Sequence, residues 1–260
     1  MSIGSDIGLS YAKRKLDKYH NILGTYRSYS ESIARLKDKG ATLYECDFSN
    51  KDSIESAISQ IRSSLVSWDN LIVCPGSLKP IGPFTECIFD DWRNSVEVNL
   101  IGPLNAIHGL IPAAIDGASV ILFAGGGTNG TADDFSAYTM SKIALIKMTE
   151  LLDSEIKNIS FTIIGPGWIK TKIHNETLES ADQNIPAYAE TLYRLKNNSF
   201  GSMDELIDCI EWTLDQSKSV VGGRNISSQQ DSWRTDLADK FAVDQSLGKL
   251  RRYGNHVLSR

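Results

Sequence analysis

A phenol and an ammonium stand four residues apart at Tyr138 and Lys142, within Phe135-Ser136-Ala137-Tyr138-Thr139-Met140-Ser141-Lys142-Ile143-Ala144-Leu145. On a helix this spacing places both side chains on one face. A nearby ammonium stabilises phenolate and moves the phenol's pKa toward working pH, so the tyrosine can give a proton to a substrate oxygen and take one back. A second constellation opens the chain, where Gly4, Ser5, Asp6, Ile7 and Gly8 lead straight into a helix whose inner face is Ile7, Tyr11, Ala12 and Leu16. Backbone N–H groups at such a junction can hold a phosphate. Ser5 or Asp6 would equally serve as a plain helix cap.

Two further positions could read a nucleotide. Tyr26, Arg27 and Ser28 follow the apolar run Asn21–Thr25. In a nicotinamide-type fold an acid there binds the ribose diol, whereas Arg27 suits the 2′-phosphate of NADP. An arginine on an exposed turn is also an ordinary solvated charge. Asp47, in Cys46-Asp47-Phe48, could accept from an adenine amino group or cap the helix starting near Ser49 or Asn50.

These groups need a frame, and the chain supplies one by alternating short apolar runs with helical periodicity. The runs Asn21–Thr25, Ala41–Cys46, Asn70–Val73, Ser119–Phe123, Ser160–Ile164 and Asn225–Ser227 are expected as strands buried under helices. Between them, Ile54, Ala57, Ile58, Ile61 and Leu65 share a helical face, as do Met203, Leu206, Ile207, Ile210 and Leu214. Gly40 is placed to end a helix from Glu31. Two long helices are expected over about Asp90–Ile115 and Asp134–Lys157. The fold expected is α/β, a Rossmann-like doubly wound parallel sheet flanked by helices, as one domain over 1–260. Its ligand would sit at the carboxyl ends of the strands.

Composition agrees with that class and excludes others. Of the 260 residues 41% are hydrophobic and 23% charged, an ordinary globular balance. A net charge of −5 without a long basic block disfavours nucleic acid. The most apolar stretch, Leu104 to Ile115, is broken by His108 and Pro112, so no membrane span and no export leader are expected. The cysteines at 46, 74, 87 and 209 form no CxxC pair and have no His at metal spacing, which points to reduced thiols, a cytoplasmic setting and no metal. His20, His108 and His256 are expected to be structural, and Trp212 and Trp233 to be packing anchors.

Tyr138-x-x-x-Lys142 on a long helix, after a strand ending in small residues, resembles the short-chain dehydrogenase/reductase family. The likeness in order and spacing runs from Gly8 to the strand around Gly223–Ser227. It implies that Tyr138 supplies the proton, that Lys142 lowers its pKa and holds the nicotinamide ribose, and that Asn99 distorts a long helix and binds a relay water. It also implies cofactor contacts at Gly4, Ser5, Asp6, Ile7, Gly8, Arg27, Asp47, Gly76, Ile169 and Thr171, the last two in Pro166-Gly167-Trp168-Ile169-Lys170-Thr171 against the carboxamide. A substrate lid would cover Trp168 to about Phe200, lined by Ile173, His174, Tyr188 and Tyr193. The amides and acids Asn175, Glu176, Asp182 and Gln183 make a polyhydroxylated substrate as plausible as a lipid. A tail over 231–260 resembles those of family members from bacterial surface-sugar pathways, and could cover a subunit interface.

The chain departs from the family pattern at four places. No strand precedes the Gly4–Gly8 turn, so either about six to eight apolar residues are encoded in frame ahead of Met1 or the sheet lacks its central strand. Asp6 occupies the middle glycine, and Val73-Cys74-Pro75-Gly76 keeps only Gly76 of an Asn-Asn-Ala-Gly stretch. Most serious, Gly125 stands where the substrate-polarising serine belongs, and Thr128 is the nearest hydroxyl that could replace it. Gly125→Ser is accordingly expected to raise turnover, unless Gly125 holds a positive φ. The resulting expectation is an oxidoreductase using NADP in preference to NAD, moving hydride to or from a carbonyl or secondary alcohol, sugar-related substrates among the candidates. The family also implies a homodimer or homotetramer through the two long helices. The alternative is a nucleotide-binding or partner-stabilising protein of this fold with impaired catalysis.

Overall fold

The computed structural model describes residues 1–16, 21–180 and 182–252; His20 and His256 lie outside them. Six parallel strands form two groups, β2-β1 and β3-β4-β5-β6. They are β1 (Leu23–Tyr26), β2 (Thr42–Glu45), β3 (Trp68–Ile72), β4 (Ala114–Phe123), β5 (Ile159–Gly165) and β6 (Asn225–Ser227). Each lies on an expected apolar run. β4 starts five residues early because its exposed first turn, Ala114–Gly117, reaches out to pair Ala114 with Trp68.

Side chains in β4 alternate between two cores, as a period of two requires. Val120 and Leu122 face Ile58 and Ile61 of α3 (Lys51–Ser64), Ile107 of α5 (Gly102–Leu110) and Leu145 of α6 (Ser136–Glu155). Ile121 and Phe123 face the other side, against Leu206, Ile207 and Ile210 of α9 (Met203–Asp215) and Trp233, Leu237 and Phe241 of the tail. Trp233 is thus the packing anchor expected of it. Its indole N–H donates to the Ser228 carbonyl at 2.9 Å, and its ring lies 6.2 Å from that of Trp212.

The sheet centre holds the first departure. Among the described residues, only Met1–Ile3 lies between β1 and β3. Ile3 N–H donates to Thr25 O at 2.7 Å, the Met1 amine donates to Ile72 O at 2.6 Å, and Cys74 N–H donates to Met1 O at 3.2 Å. Three residues therefore stitch the two strand groups together at the end that carries the ligand loops. They run directly into α1 (Asp6–Leu16).

The helix expected over Asp90–Ile115 is broken. α4 (Phe89–Val96) gives way to a π turn over Glu97–Ile101, then α5 and a 3-10 turn over Ile111–Ala113. Pro103 has no N–H for the Asn99 carbonyl four residues back, and Gly102 N–H reaches Glu97 O instead, which widens the turn. A Cβ on Gly102 would come within 2.7 Å of Phe48 O, so glycine is required for the close packing there.

Residues 168–200 carry α7 (Ile173–Leu178) and α8 (Pro186–Asn197). Beyond β6, the tail is held by Arg224, whose guanidinium is buried against the Phe241 ring and donates to the carbonyls of Phe241 at 2.9 Å and Leu247 at 2.5 Å. Arg251 pairs with Glu150 of α6 at 2.6 Å, which holds that carboxyl down at about 2.

Candidate active site

The loops after β3 and β4, the π turn, α6 and α7 converge at one end of the sheet. Asn99, on the π turn, is fully buried, and its amide brackets Ser77. Oδ1 accepts Ser77 N–H at 3.1 Å, while Nδ2 donates to Ser77 O and to Ser95 O, each at 2.9 Å. The side chain expected to bind a relay water is therefore committed to shaping the strand-end loop. That clamp fixes Gly76, whose bare α-carbon face looks toward Ile173, Asn99 and Lys142.

Lys142 is 4% exposed and donates to a single acceptor, Pro75 O at 3.3 Å. Burial pushes its ammonium down to about 8, with the Cys74 thiol opposing in part. Its Nζ lies 5.7 Å from the Tyr138 ring centroid. The phenol is pushed up to about 12, first by burial and then by the negative charge of Glu176. Sequence reasoning expected Lys142 to lower this pKa. In the cleft as it stands both groups are held toward neutrality, because desolvation disfavours the charged form of each.

A lysine with a lowered pKa costs stability in a calculable direction. The unfolded chain binds more protons than the folded one between about pH 8 and 10.5, so stability rises with pH across that window. Below it the full penalty stands, about 3 kcal/mol for a shift of this size. Lys142→Met is expected to raise the melting midpoint at pH 7 by roughly 2–4 °C per kcal/mol recovered, with a smaller gain at pH 10. Calorimetry at the two pH values checks this, and an equal or negative shift at pH 7 would count against a strained ammonium.

The position of the absent serine is filled. A Cβ on Gly125 would lie 2.6 Å from Tyr138 Oη and 2.7 Å from Cε1, so the tyrosine ring occupies the space a larger residue would need. The positive φ considered for Gly125 belongs instead to Gly127, at +95°. Thr128, the expected substitute donor, is exposed on the loop beyond it and has no hydrogen bond in the site. The chain turns away at Gly127, which packs over Thr139.

On the cofactor side, Gly8 cannot carry a side chain, since a Cβ would meet Ser2 O at 2.6 Å. Ser5 caps the turn, its Oγ accepting Gly8 N–H at 3.0 Å. Asp6 reaches across to the segment before α7, where Oδ2 accepts Lys172 N–H at 2.5 Å and Oδ1 lies 4.0 Å from Lys172 Nζ. Ile169 is buried and bridges to Gly201, and Thr171 O accepts His174 N–H at 3.2 Å. Arg27 is exposed. Lys37, which the sequence reading did not select, lies over the rings of Tyr26 and Tyr29 at 5.3 and 5.6 Å. Asp47 closes a local turn by accepting from Ser49 N–H at 2.9 Å and Ser49 Oγ at 2.7 Å, and Asn50 rather than Asp47 caps α3.

The segment 168–200, expected to form a substrate lid, is arranged differently from expectation. Ile173 faces Gly76, but His174 stacks on Trp168 at 3.8 Å with burial lowering its pKa, and Tyr193 is exposed. Glu176, named only for its polarity, is the residue of α7 that enters the site. Its carboxylate accepts Leu78 N–H at 2.6 Å and Ser77 Oγ at 3.0 and 3.2 Å. A helix phase could have paired it with Ile173, three residues before, on the inner face.

The cysteines are free, the Cys74 thiol is pushed up to about 11 by burial, and no metal-binding cluster occurs among the described residues. No helix among them is long and apolar enough to cross a membrane.

The residues present suit a nicotinamide dinucleotide. Lys142 keeps N–H donors beyond its one carbonyl bond, Gly76 offers a bare face beside it, and Gly8 opens the helix start to close approach. Comparison with known proteins agrees. A family model described as enoyl-(acyl carrier protein) reductase matches residues 3–229. Serine 3-dehydrogenase of Agrobacterium fabrum is 23% identical over 225 residues, covering 83% of this chain and 86% of the relative. The structure of a short-chain dehydrogenase/reductase from Saccharomyces cerevisiae superposes with a TM-score of 0.80 at 18% identity, over 91% of this chain and 96% of that one. One from Burkholderia cenocepacia in complex with NADP gives 0.71 at 18% identity, over 86% and 92%. With a family model matched over most of its length and the half-buried Tyr138 beside the buried Lys142 at the strand ends, the chain belongs to the short-chain dehydrogenase/reductase family of NAD(P)-dependent oxidoreductases.

Proposed function

We propose that this oxidoreductase uses NADP(H) and acts on the carbonyl or secondary alcohol of a small, polar, hydroxylated substrate, a sugar-related compound among the candidates. The observation that carries the reading is the half-buried Tyr138 beside the buried Lys142 and the Asn99-clamped Gly76. Gly4 to Gly8 would hold the diphosphate at the start of α1, with Ile7 packing beneath it. Lys142 and Gly76 would hold the nicotinamide ribose, and Ile169 and Thr171 the carboxamide. Asp47 keeps Oδ2 for the adenine amino group. Bound there, the cofactor supplies or takes up the hydride.

Tyr138 Oη gives its proton to the carbonyl oxygen in reduction and recovers it in oxidation. A ribose hydroxyl on Lys142 would replace the Pro75 carbonyl as its neighbour, and the ammonium would then favour the phenolate. Thr128 would have to swing in from solvent to polarise the substrate oxygen. The lid over 168–200 excludes water. Exposed Phe89, Ile101, Met140 and Leu151 on the two long helical segments suit a homodimer or homotetramer, and free thiols suit a cytoplasmic setting.

Arg27, with Lys37 close by on α2 (Glu31–Asp38), favours NADP over NAD. Arg27→Asp is expected to weaken NADPH by tenfold or more, about 1.4 kcal/mol, and to leave NADH nearly unchanged, as charge-assisted phosphate contacts of this kind allow. Fluorescence titration of both cofactors checks this. Equal losses would make Arg27 a mere surface charge, and no binding of either nucleotide would remove the functional reading itself.

A further inference from the structure

We propose that Glu176 determines substrate specificity, its carboxylate selecting secondary alcohols and ketones that carry an ammonium group on the carbon next to the reacting one. The proposal rests on the functional reading above and names the substituent that the same site reads.

Glu176 reaches the site from α7 and is fixed there by Ser77 Oγ and Leu78 N–H. Ser77 is in turn held at both backbone groups by Asn99, so the carboxylate belongs to the same strand-end loop whose Pro75 carbonyl accepts from Lys142. Its bonds are uneven. Oε2 accepts at 2.6 and 3.0 Å, while Oε1 has only Ser77 Oγ at 3.2 Å and keeps lone pairs for a ligand. The cations around it are engaged elsewhere, since Lys79 lies 3.4 Å from Glu179, Lys172 lies 4.0 Å from Asp6, and Lys142 donates to Pro75 O. The carboxylate has no ion-pair partner among the described residues.

Such a charge works against the chemistry beside it. It raises the Tyr138 pKa and so opposes the phenolate that accepts a proton during alcohol oxidation. A substrate ammonium lying against Oε1 would cancel that field, favour binding and release the phenol for proton exchange. A neutral substrate meets the uncancelled charge, and an anionic one is repelled as well. The preference should therefore appear in kcat as well as in KM, which a carboxylate serving only to latch the lid would not produce.

Three alcohols of nearly equal shape test this at pH 7.5: 1-aminopropan-2-ol, butan-2-ol and lactate, which carry positive, zero and negative charge. With saturating NADP⁺, the wild type is expected to oxidise the amine at least about tenfold more efficiently than butan-2-ol, with lactate slowest. Glu176→Gln keeps an acceptor for Ser77 and Leu78 while removing the charge. It should bring the three efficiencies to within about threefold of one another, by slowing the amine and speeding butan-2-ol. Glu176→Asp should retain the order. An order that survives Glu176→Gln, or lactate as the best substrate of the wild type, would overturn the proposal. If neither protein oxidises any of the three, the oxidoreductase reading fails for these alcohols, and binding followed by ligand-observed NMR decides about Glu176 separately. Preferential binding of the amine that disappears in Glu176→Gln supports the carboxylate's role, and equal binding of all three to the wild type overturns it.

Discussion

Tyr138→Phe is expected to cut turnover by a factor of about 10²–10⁴, the contribution of a positioned acid–base group, while NADPH binding stays within about twofold of wild type. The two outcomes separate because the ring and the hydroxyl do different work. The ring fills the space in front of Gly125, and phenylalanine keeps it there. The hydroxyl is the group that exchanges a proton, and no other side chain among the described residues is placed to replace it. Thr128 is exposed, and Glu176 already accepts from Ser77 and Leu78. Steady-state rates with a panel of ketones, beside a nucleotide titration, measure both quantities. A Tyr138→Phe protein of undiminished turnover would remove Tyr138 from the mechanism.

Gly125→Ser is expected to lower turnover, reversing what the family pattern suggests. Restoring the missing hydroxyl would add a donor worth about 2.7–4 kcal/mol at comparable oxyanion sites. The new Cβ, however, would sit 2.6 Å from Tyr138 Oη, closer than non-bonded atoms approach, so the ring must move before any hydroxyl can act. Displacing a reacting group by about 1 Å can cost about a hundredfold. Gly125→Ala carries the same Cβ without the donor and isolates the steric part. Both variants should lose activity, alanine more than serine by whatever the hydroxyl returns. A Gly125→Ser enzyme faster than wild type, beside a slower Gly125→Ala, would show that the donor outweighs the displacement.

Much of the frame was legible because periodicity reports burial. The six apolar runs became strands, and Ile54, Ala57, Ile58 and Ile61 became the inner face of α3. Tyr138 and Lys142 were legible because one helical turn fixes their relation without help from the rest of the fold. What escaped depends on contacts distant in sequence. Glu176 reaches Ser77 across 99 positions, and the one local sign of it is its helical phase with Ile173. Thr128 was chosen for proximity in sequence to Gly125, but Gly127 turns the loop outward before it. The π turn left a trace in Gly102-Pro103, where a proline lacking its N–H follows a glycine too crowded for a side chain. The tight fit of Gly125 to a phenol ring left none, because a glycine in a loop reads as freedom.

Arg224 gives the last strand an unusual dependence on the order of synthesis. Its guanidinium donates to one carbonyl upstream, Val220 O at 2.8 Å, and to three downstream, those of Phe241, Asp244 and Leu247, with no carboxylate among the described residues hydrogen-bonded to it. A chain that has emerged only as far as β6 offers the cation Val220 O alone, and burying it then would leave most of its N–H groups unanswered in the low-dielectric interior. The edge of the sheet is fully satisfied only once residues 241–247 are in place. The backbone of residues 241–247 thus answers a charge carried by the strand before it, and the packing of β6 is coupled to the docking of the segment that follows.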